Sequence, residues 1–269
     1  MAPSNASGEQ TSIAPLKKRV DGAICHLTLC RPTLRNALSG ELIQALQSTF
    51  DEIANDRRIK VILLDAEGDV FCAGHDLKEM RSLSDEKAIA QLFADCAAMM
   101  QSIAKIPQPV IALVQGIATA AGCQLVASAD LAIASDRARF ATPGVHIGLF
   151  CSTPMVPVSR VLGKKHAMEM LLTGDPASAE DALRFGLVNR VVAADTLQAE
   201  GDALARKIAE KSAYTVGLGK QTFYEQLDMP LSDAYAHCCK IMTQNMLAPD
   251  AEEGIDAFLQ KRSPVWPSD

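Results

Sequence analysis

The chain has 269 residues, 48% of them hydrophobic and 22% charged, and a formal net charge of −6. A chain of this length buries roughly 70–75% of its unfolded surface without a disulfide or metal staple, and the composition excludes disordered, collagenous and fibrous classes. The acidic balance, with no basic run to offset it, argues against nucleic acid as a partner, and no apolar run reaches the ~18 residues of a membrane span.

Met1–Ser12 is polar and rich in small residues. It has neither the basic start and apolar core of a secretion signal nor the Arg-rich look of a transit peptide, so it reads as a loose tail. Asp21–Cys30 alternates and stops at Arg31-Pro32, which predicts one strand entering a loop. Ser39 is placed to cap a helix carrying Leu42, Leu46, Phe50 and Ile53 on one face. Lys60–Asp65 and Val110–Val114 are short apolar runs of the kind found in strands buried on both faces. Between them a helix is expected over about Ser84–Ile106, ending at Pro107. Small residues from Ile117 to Gly122 lead into a helix over about Ala121–Ser128, and a strand follows at Leu131–Ser135. This alternation predicts an α/β fold with parallel strands and crossover helices.

Beyond Pro154 the pattern turns helical: Lys164–Leu172, Ser178–Phe185 with a capping box at Ser178 and Asp181, Thr196–Lys211, Val216–Gln226, Leu231–Leu247 and Asp250–Arg262. One short strand, Leu187–Val192, interrupts them. Stripes such as Leu231, Ala234, Tyr235, Cys238 and Met242 have helical spacing and suit either an internal core or a subunit interface. Trp266 is expected to fill a surface groove. The eight cysteines form no C-x-x-C pair and sit mostly in apolar stretches, which predicts reduced, buried thiols and a cytoplasmic protein. No residues show metal-ligand spacing.

Two glycine-containing turns carry the chemistry: Val70–Glu79, with Gly74-His75-Asp76-Leu77, and Val114–Gln124, with Ala121-Gly122-Cys123-Gln124. Helix starts expose free N–H groups with partial positive charge, and small residues let a ligand approach the main chain. One N–H from each turn would make an oxyanion hole.

In order, Arg31–Leu38, Phe71–Leu77, Gly116–Gln124, Asp130, Phe140-Ala-Thr-Pro143 with Gly148, and the closing Glu253-Gly254…Phe258…Lys261-Arg262 resemble the crotonase superfamily, the enoyl-CoA hydratase/isomerase family. The resemblance spans roughly residues 20–262. It implies a spiral of ββα units with a C-terminal helical trimerisation region: a flexible tail over 1–19, a spiral core over 20–204 and an oligomerisation region over 205–269, assembled as a homotrimer or a dimer of trimers. The implied ligand is an acyl-coenzyme A thioester, with coenzyme A part of the substrate and no permanently bound cofactor. The implied oxyanion donors are the N–H groups of His75 and Ala121. Cys72, His75, Asp76 and Leu77 would hold adenine and pantetheine, Thr33, Leu34 and Arg35 would border the nucleotide, and Phe258 and Lys261 would approach coenzyme A from a neighbouring subunit.

The sequence departs from the family at two positions. The glutamates that handle water in family hydratases fall at Gln124 and Gly144, and no Asp or Glu occurs from Arg137 through Met168. A glutamine orients a water or a carbonyl but is no base near neutral pH. In this the chain resembles a branch of enoyl-CoA hydratase domain-containing proteins that lack the pair. His75, Glu79, His146 and Cys151 are the candidate replacements; Asp76 is expected to fix its turn, and Cys123 to pack. Two functions stay open: an enzyme of this family acting by thioester polarisation, and a non-catalytic acyl-CoA binding or partner-interaction protein on the same scaffold.

Overall fold

The computed structural model describes residues 14–267. The expectation of a loose tail over Met1–Ser12 lies outside them. The chain opens with a hairpin, β1 (Leu16–Asp21) and β2 (Ile24–Leu29), paired antiparallel with Asp21 opposite Ile24. A single strand over Asp21–Cys30 is therefore corrected: Gly22, at φ 58°, makes the two-residue turn that such a hairpin requires. After a 3-10 turn at Pro32–Leu34 comes α1 (Gly40–Ala54). The Ser39 hydroxyl accepts the Leu42 N–H at 3.3 Å, and Leu42, Leu46, Phe50 and Ile53 are fully buried, as the periodicity predicts.

The chain then winds as a spiral, each turn laying one strand in each of two sheets before a helix. β3 (Val61–Ala66) and β4 (Val70–Cys72) lead to α2 (Leu77–Ser82) and α3 (Glu86–Lys105). β5 (Val110–Val114) and β6 (Ile117–Thr119) lead to α4 (Ala121–Ser128). β7 (Leu131–Ser135) and β8 (Arg139–Ala141) lead through a 3-10 turn at Pro143–Ile147 to α5 (Met155–Val161) and α6 (Lys164–Thr173). A two-residue strand β9 (Ala177–Ser178), α7 (Ala179–Phe185) and β10 (Arg190–Val192) close the spiral. Ser178 and Asp181 form the expected capping box. Four helices follow: α8 (Leu197–Ala209), α9 (Ala213–Gln226), α10 (Leu231–Met246) and α11 (Pro249–Leu259).

The larger sheet runs β1-β2-β3-β5-β7-β10, parallel from β2 onward; the smaller runs β4-β6-β8-β9. The main core lies between the sheets and the helices of the spiral, with Phe50, Phe71 and Phe140 fully buried. Leu197 and Ala205 of α8 cover the other face of the larger sheet against Val61, Leu63, Ile111 and Ile133. The helix that does so crosses positions 204 and 205. No helix among the described residues is long and apolar enough to cross a membrane.

The C-terminal end is held by a clamp. Glu253 pairs with Arg262 at 2.6 Å and accepts the Val265 N–H at 2.7 Å, while the Trp266 indole N–H donates to the Glu210 carbonyl at 2.8 Å. The Trp266 ring also lies over Gly254, where an added Cβ would meet it at 3.2 Å. Trp266 thus seats against the surface, as expected. The Arg262 hydrogen bond, then the Val265 N–H, hold the Glu253 carboxyl down to about 2. A folded-state pKa below the unfolded one gives stabilisation that is complete above the ordinary carboxylate range and is lost as pH falls through the folded value. Trp266 is the sole tryptophan. Its emission is expected to stay steady down to about pH 4 and to shift red only as pH drops toward 2. Glu253→Gln should show the shifted emission already at pH 7. Identical spectra for the two proteins at pH 7 would reject the clamp.

Candidate functional site

β4 and β6 are parallel, with Cys72 opposite Ala118. Three residues beyond this pair lie His75 and Ala121, so the register itself brings the two turns together. Gly74 is at φ 90°, and a Cβ there would lie 3.1 Å from the Ala121 nitrogen. A Cβ on Gly122 would fall 2.0 Å from the Cys72 carbonyl oxygen, so the start of α4 rests directly on the β4 backbone. Ala120, just before α4, holds φ 50° and ψ −118°, a strained conformation for a residue with a Cβ, and no side chain caps the helix. Among the described residues, neither the His75 N–H nor the Ala121 N–H donates to a protein acceptor.

The Arg31–Leu38 loop is stitched beside the first turn. Leu38 forms a parallel bridge with His75: its N–H donates to Gly74 O at 2.8 Å and its carbonyl accepts from Asp76 at 3.1 Å. The fully buried Asn36 amide donates to Glu67 O at 2.9 Å and Val70 O at 2.7 Å, and its oxygen accepts the Arg31 N–H at 2.8 Å. Arg35 and Asn36 take left-handed φ values of 53° and 51° to make this possible. Asn36 was legible as a motif residue, but its role as the staple of this loop was not. Thr33, Leu34 and Arg35 are exposed beside it, as is Leu77.

The carboxylates of the first turn are already engaged. Asp76 caps α2, accepting the N–H groups of Lys78 and Glu79 at 2.9 and 3.2 Å, in keeping with its expected turn-fixing role. Glu79 accepts the Gly40 N–H at 3.0 Å and so ties α2 to the start of α1, which competes with a role as base. The His75 ring meets Phe93 of α3 edge-on at 5.4 Å. Burial pushes its pKa below 6.5, so it is neutral at pH 7. Its Nε2 and the Oε1 of Gln124 are buried without a hydrogen-bond partner.

Around Gly144 the loop has closed over the space that a side chain would need. A Cβ there would lie 2.9 Å from Leu149 O and 3.0 Å from Cys151 Sγ, and the Leu149 N–H donates to Gly144 O at 2.9 Å. His146 is turned to the Thr173 carbonyl at 2.8 Å. Burial raises the Cys151 thiol and lifts Cys72 and Cys123 to about 12, which makes them packing groups rather than nucleophiles. Phe258, on α11, is 81% exposed, and Lys261 beyond it is also exposed. No cluster of metal-binding side chains occurs among the described residues.

A two-sheet spiral of ββα turns, with adjacent helix starts at its smaller sheet, defines the crotonase class of α/β protein. Residues 19–269 match the family model described as enoyl-CoA hydratase/isomerase, and the chain belongs to that family. It is 47% identical to human enoyl-CoA hydratase domain-containing protein 3, mitochondrial, over 98% of this chain and 87% of that one. The crystal structure of that human protein superposes with a TM-score of 0.91, covering 94% of this chain and all of the other. An enoyl-CoA hydratase from Mycobacterium smegmatis, 48% identical, gives 0.92 over 94% and 98%. The mitochondrial address in the human relative's name, shared by its rat counterpart, overturns the cytoplasmic expectation. That expectation leaned on reduced cysteines, and free thiols exclude only an oxidising compartment.

Proposed function

We propose that this chain binds a coenzyme A thioester with its carbonyl oxygen between the N–H groups of His75 and Ala121, and polarises it toward an enolate without the family's two-glutamate pair. The observation that carries the reading is the pair of unspent main-chain donors, held side by side by the Gly74 and Gly122 contacts. Negative charge growing on the thioester oxygen meets donors already in place, each worth about 3–4 kcal/mol in comparable sites. The backbone from Cys72 to Leu77 grips the pantetheine and adenine, Asp76 acting through its cap on α2. Thr33, Leu34 and Arg35 border the nucleotide, and Arg35 faces its phosphates. Phe258 and Lys261 reach coenzyme A from a neighbouring copy in a homotrimer; the exposure of Phe258 in the single chain supports this.

Gln124 and Gly144 supply no acid or base, and each missing group typically removes about 10²–10⁴ in rate. The filled space at Gly144 favours a second reading, acyl-CoA binding without turnover. One experiment tests both. Butanoyl-CoA and 2-butenoyl-CoA are expected to raise the melting temperature. Hydration of the enoyl ester, followed by mass spectrometry, should run at least about 10²-fold below a family member with both glutamates. Binding with no product from saturated, enoyl or hydroxyacyl esters would select the second reading. No thermal shift with any thioester would reject acyl-CoA binding altogether.

A further inference from the structure

A groove of about 500 Å³ opens between α8 and α9 over the starts of β5 and β7. Its size falls within the ~300–1,000 Å³ typical of small-molecule sites. Helical spacing builds both walls. Leu204, Lys207, Ile208 and Lys211 recur at i, i+3, i+4 and i+7, on one side of α8 and the residues that follow it. Val216, Lys220, Phe223 and Tyr224 recur at i, i+4, i+7 and i+8 on the facing side of α9. Phe223 stays 54% exposed there. None of the lining comes from the two turns that hold the donor pair.

The polar groups of the groove fall into two sets. The Lys220 and Asp130 side chains are 6% and 13% exposed and form its floor. Lys220 gives its protons to Asp130 at 2.6 Å and to the carbonyls of Ile103 and Gln108, while Tyr224 donates to the other Asp130 oxygen. The floor is therefore neutral and its donors are used. Lys207 and Lys211 are exposed at the rim. Glu210 lies 4.0 Å from Lys211, an exposed pair of little worth. Lys60 donates to the Ala209 carbonyl at 3.2 Å, so the negative end of α8 already has a cation on it.

We propose that this groove binds an aliphatic carboxylate of medium chain length, its alkyl tail along the apolar walls and its carboxylate between Lys207 and Lys211. A cation finds no uncommitted carboxylate in the lining, because Asp130 is bound on both oxygens. A polyhydroxylated ligand would give up its hydrogen bonds to water against Leu204, Ile208, Val216 and Phe223, which return none. A neutral hydrocarbon leaves the two rim charges unused. The tail points inward because the floor has no charge left to offer, and the head stays at the rim because both free charges are there.

The test is calorimetric titration of the full chain at pH 7 with octanoate, butanoate and octanamide. Octanoate is expected to bind about tenfold or more tightly than butanoate, since each buried methylene adds up to about fourfold. It should bind about threefold or more tightly than octanamide, which lacks the charge. Excess butanoyl-CoA should leave octanoate binding unchanged, which separates this groove from the donor pair. Lys207→Gln combined with Lys211→Gln should erase the preference over octanamide without moving the melting temperature. Leu204→Trp should fill the groove and weaken octanoate about tenfold or more. Equal affinities for octanoate and octanamide overturn the proposal, as does competition by butanoyl-CoA or unchanged binding in the variants. No heat with octanoate overturns it too, and a change of assembly size in Leu204→Trp by ultracentrifugation would then assign the groove to a second copy of the chain.

Discussion

Gly122→Ala is expected to cost about 3 kcal/mol or more of stability and to abolish thioester binding. The added Cβ would lie 2.0 Å from the Cys72 carbonyl oxygen, 2.7 Å from its carbon and 2.9 Å from the Cys72 Cβ. None of these atoms is the loose end of a flexible side chain, so α4 must lift away from β4. The donor pair sits on either side of this contact: Ala121 immediately precedes Gly122, and His75 lies three residues past Cys72. Separating the turns therefore removes the convergence of two donors that the proposed chemistry needs. For a chain of this size about 1 kcal/mol moves the melting temperature by roughly 2–4 °C, so a fall of about 6–12 °C is expected by calorimetry. Butanoyl-CoA should give no heat of binding. Gly219→Ala is the matched control, since Gly219 lies within α9 with open space at its Cβ. Removing a helix-interior glycine there should be neutral or stabilising by up to about 1 kcal/mol. Unchanged melting and binding in Gly122→Ala would show that the two turns need not touch.

The larger sheet was legible because its inner strands are continuous apolar runs, and Val110–Val114 and Leu131–Ser135 appear with the expected bounds. The smaller sheet was not. β4, β6 and β8 are three residues each, too short to carry a period, and they exist because neighbouring turns of the spiral stack. The hairpin at Gly22 was missed because the alternation continues through Cys30 on one side only of a two-residue turn. At the site, the loss of both glutamates was plain from residue identity. That the space at Gly144 is filled was not, because it depends on the loop returning to place Leu149 and Cys151 there. Glu79 stands in the sequence as a candidate replacement base, and its tie to the Gly40 N–H is not visible there because that group lies 39 residues earlier. Asp130 was visible only as part of a motif, since the groups that explain it lie 90 and 94 residues further on.

Those distant partners make Lys220→Met the substitution with the largest expected effect on stability. Asp130 precedes β7, and its carboxylate accepts the Val110 N–H at 2.7 Å, the Lys220 ammonium at 2.6 Å and the Tyr224 hydroxyl at 2.9 Å. Lys220 also donates to the carbonyls of Ile103 at 2.6 Å and Gln108 at 2.9 Å. The two side chains are 6% and 13% exposed, so α9 is bolted to the starts of β5 and β7 by a buried charge pair. Methionine matches the stem in length but leaves Asp130 as a buried anion without its cation, and leaves two carbonyls short of a donor. Breaking one side of such a pair typically costs about 3–5 kcal/mol. Urea unfolding should show that loss, and added salt should change it little, because solvent ions do not reach a buried pair. Adding Asp130→Asn removes the stranded charge, keeps an oxygen for the Val110 N–H and turns an NH2 donor toward the Tyr224 hydroxyl oxygen, so the double variant should be more stable than Lys220→Met alone. If the two losses simply add, the pair is not coupled, and α9 is held by its apolar contacts instead.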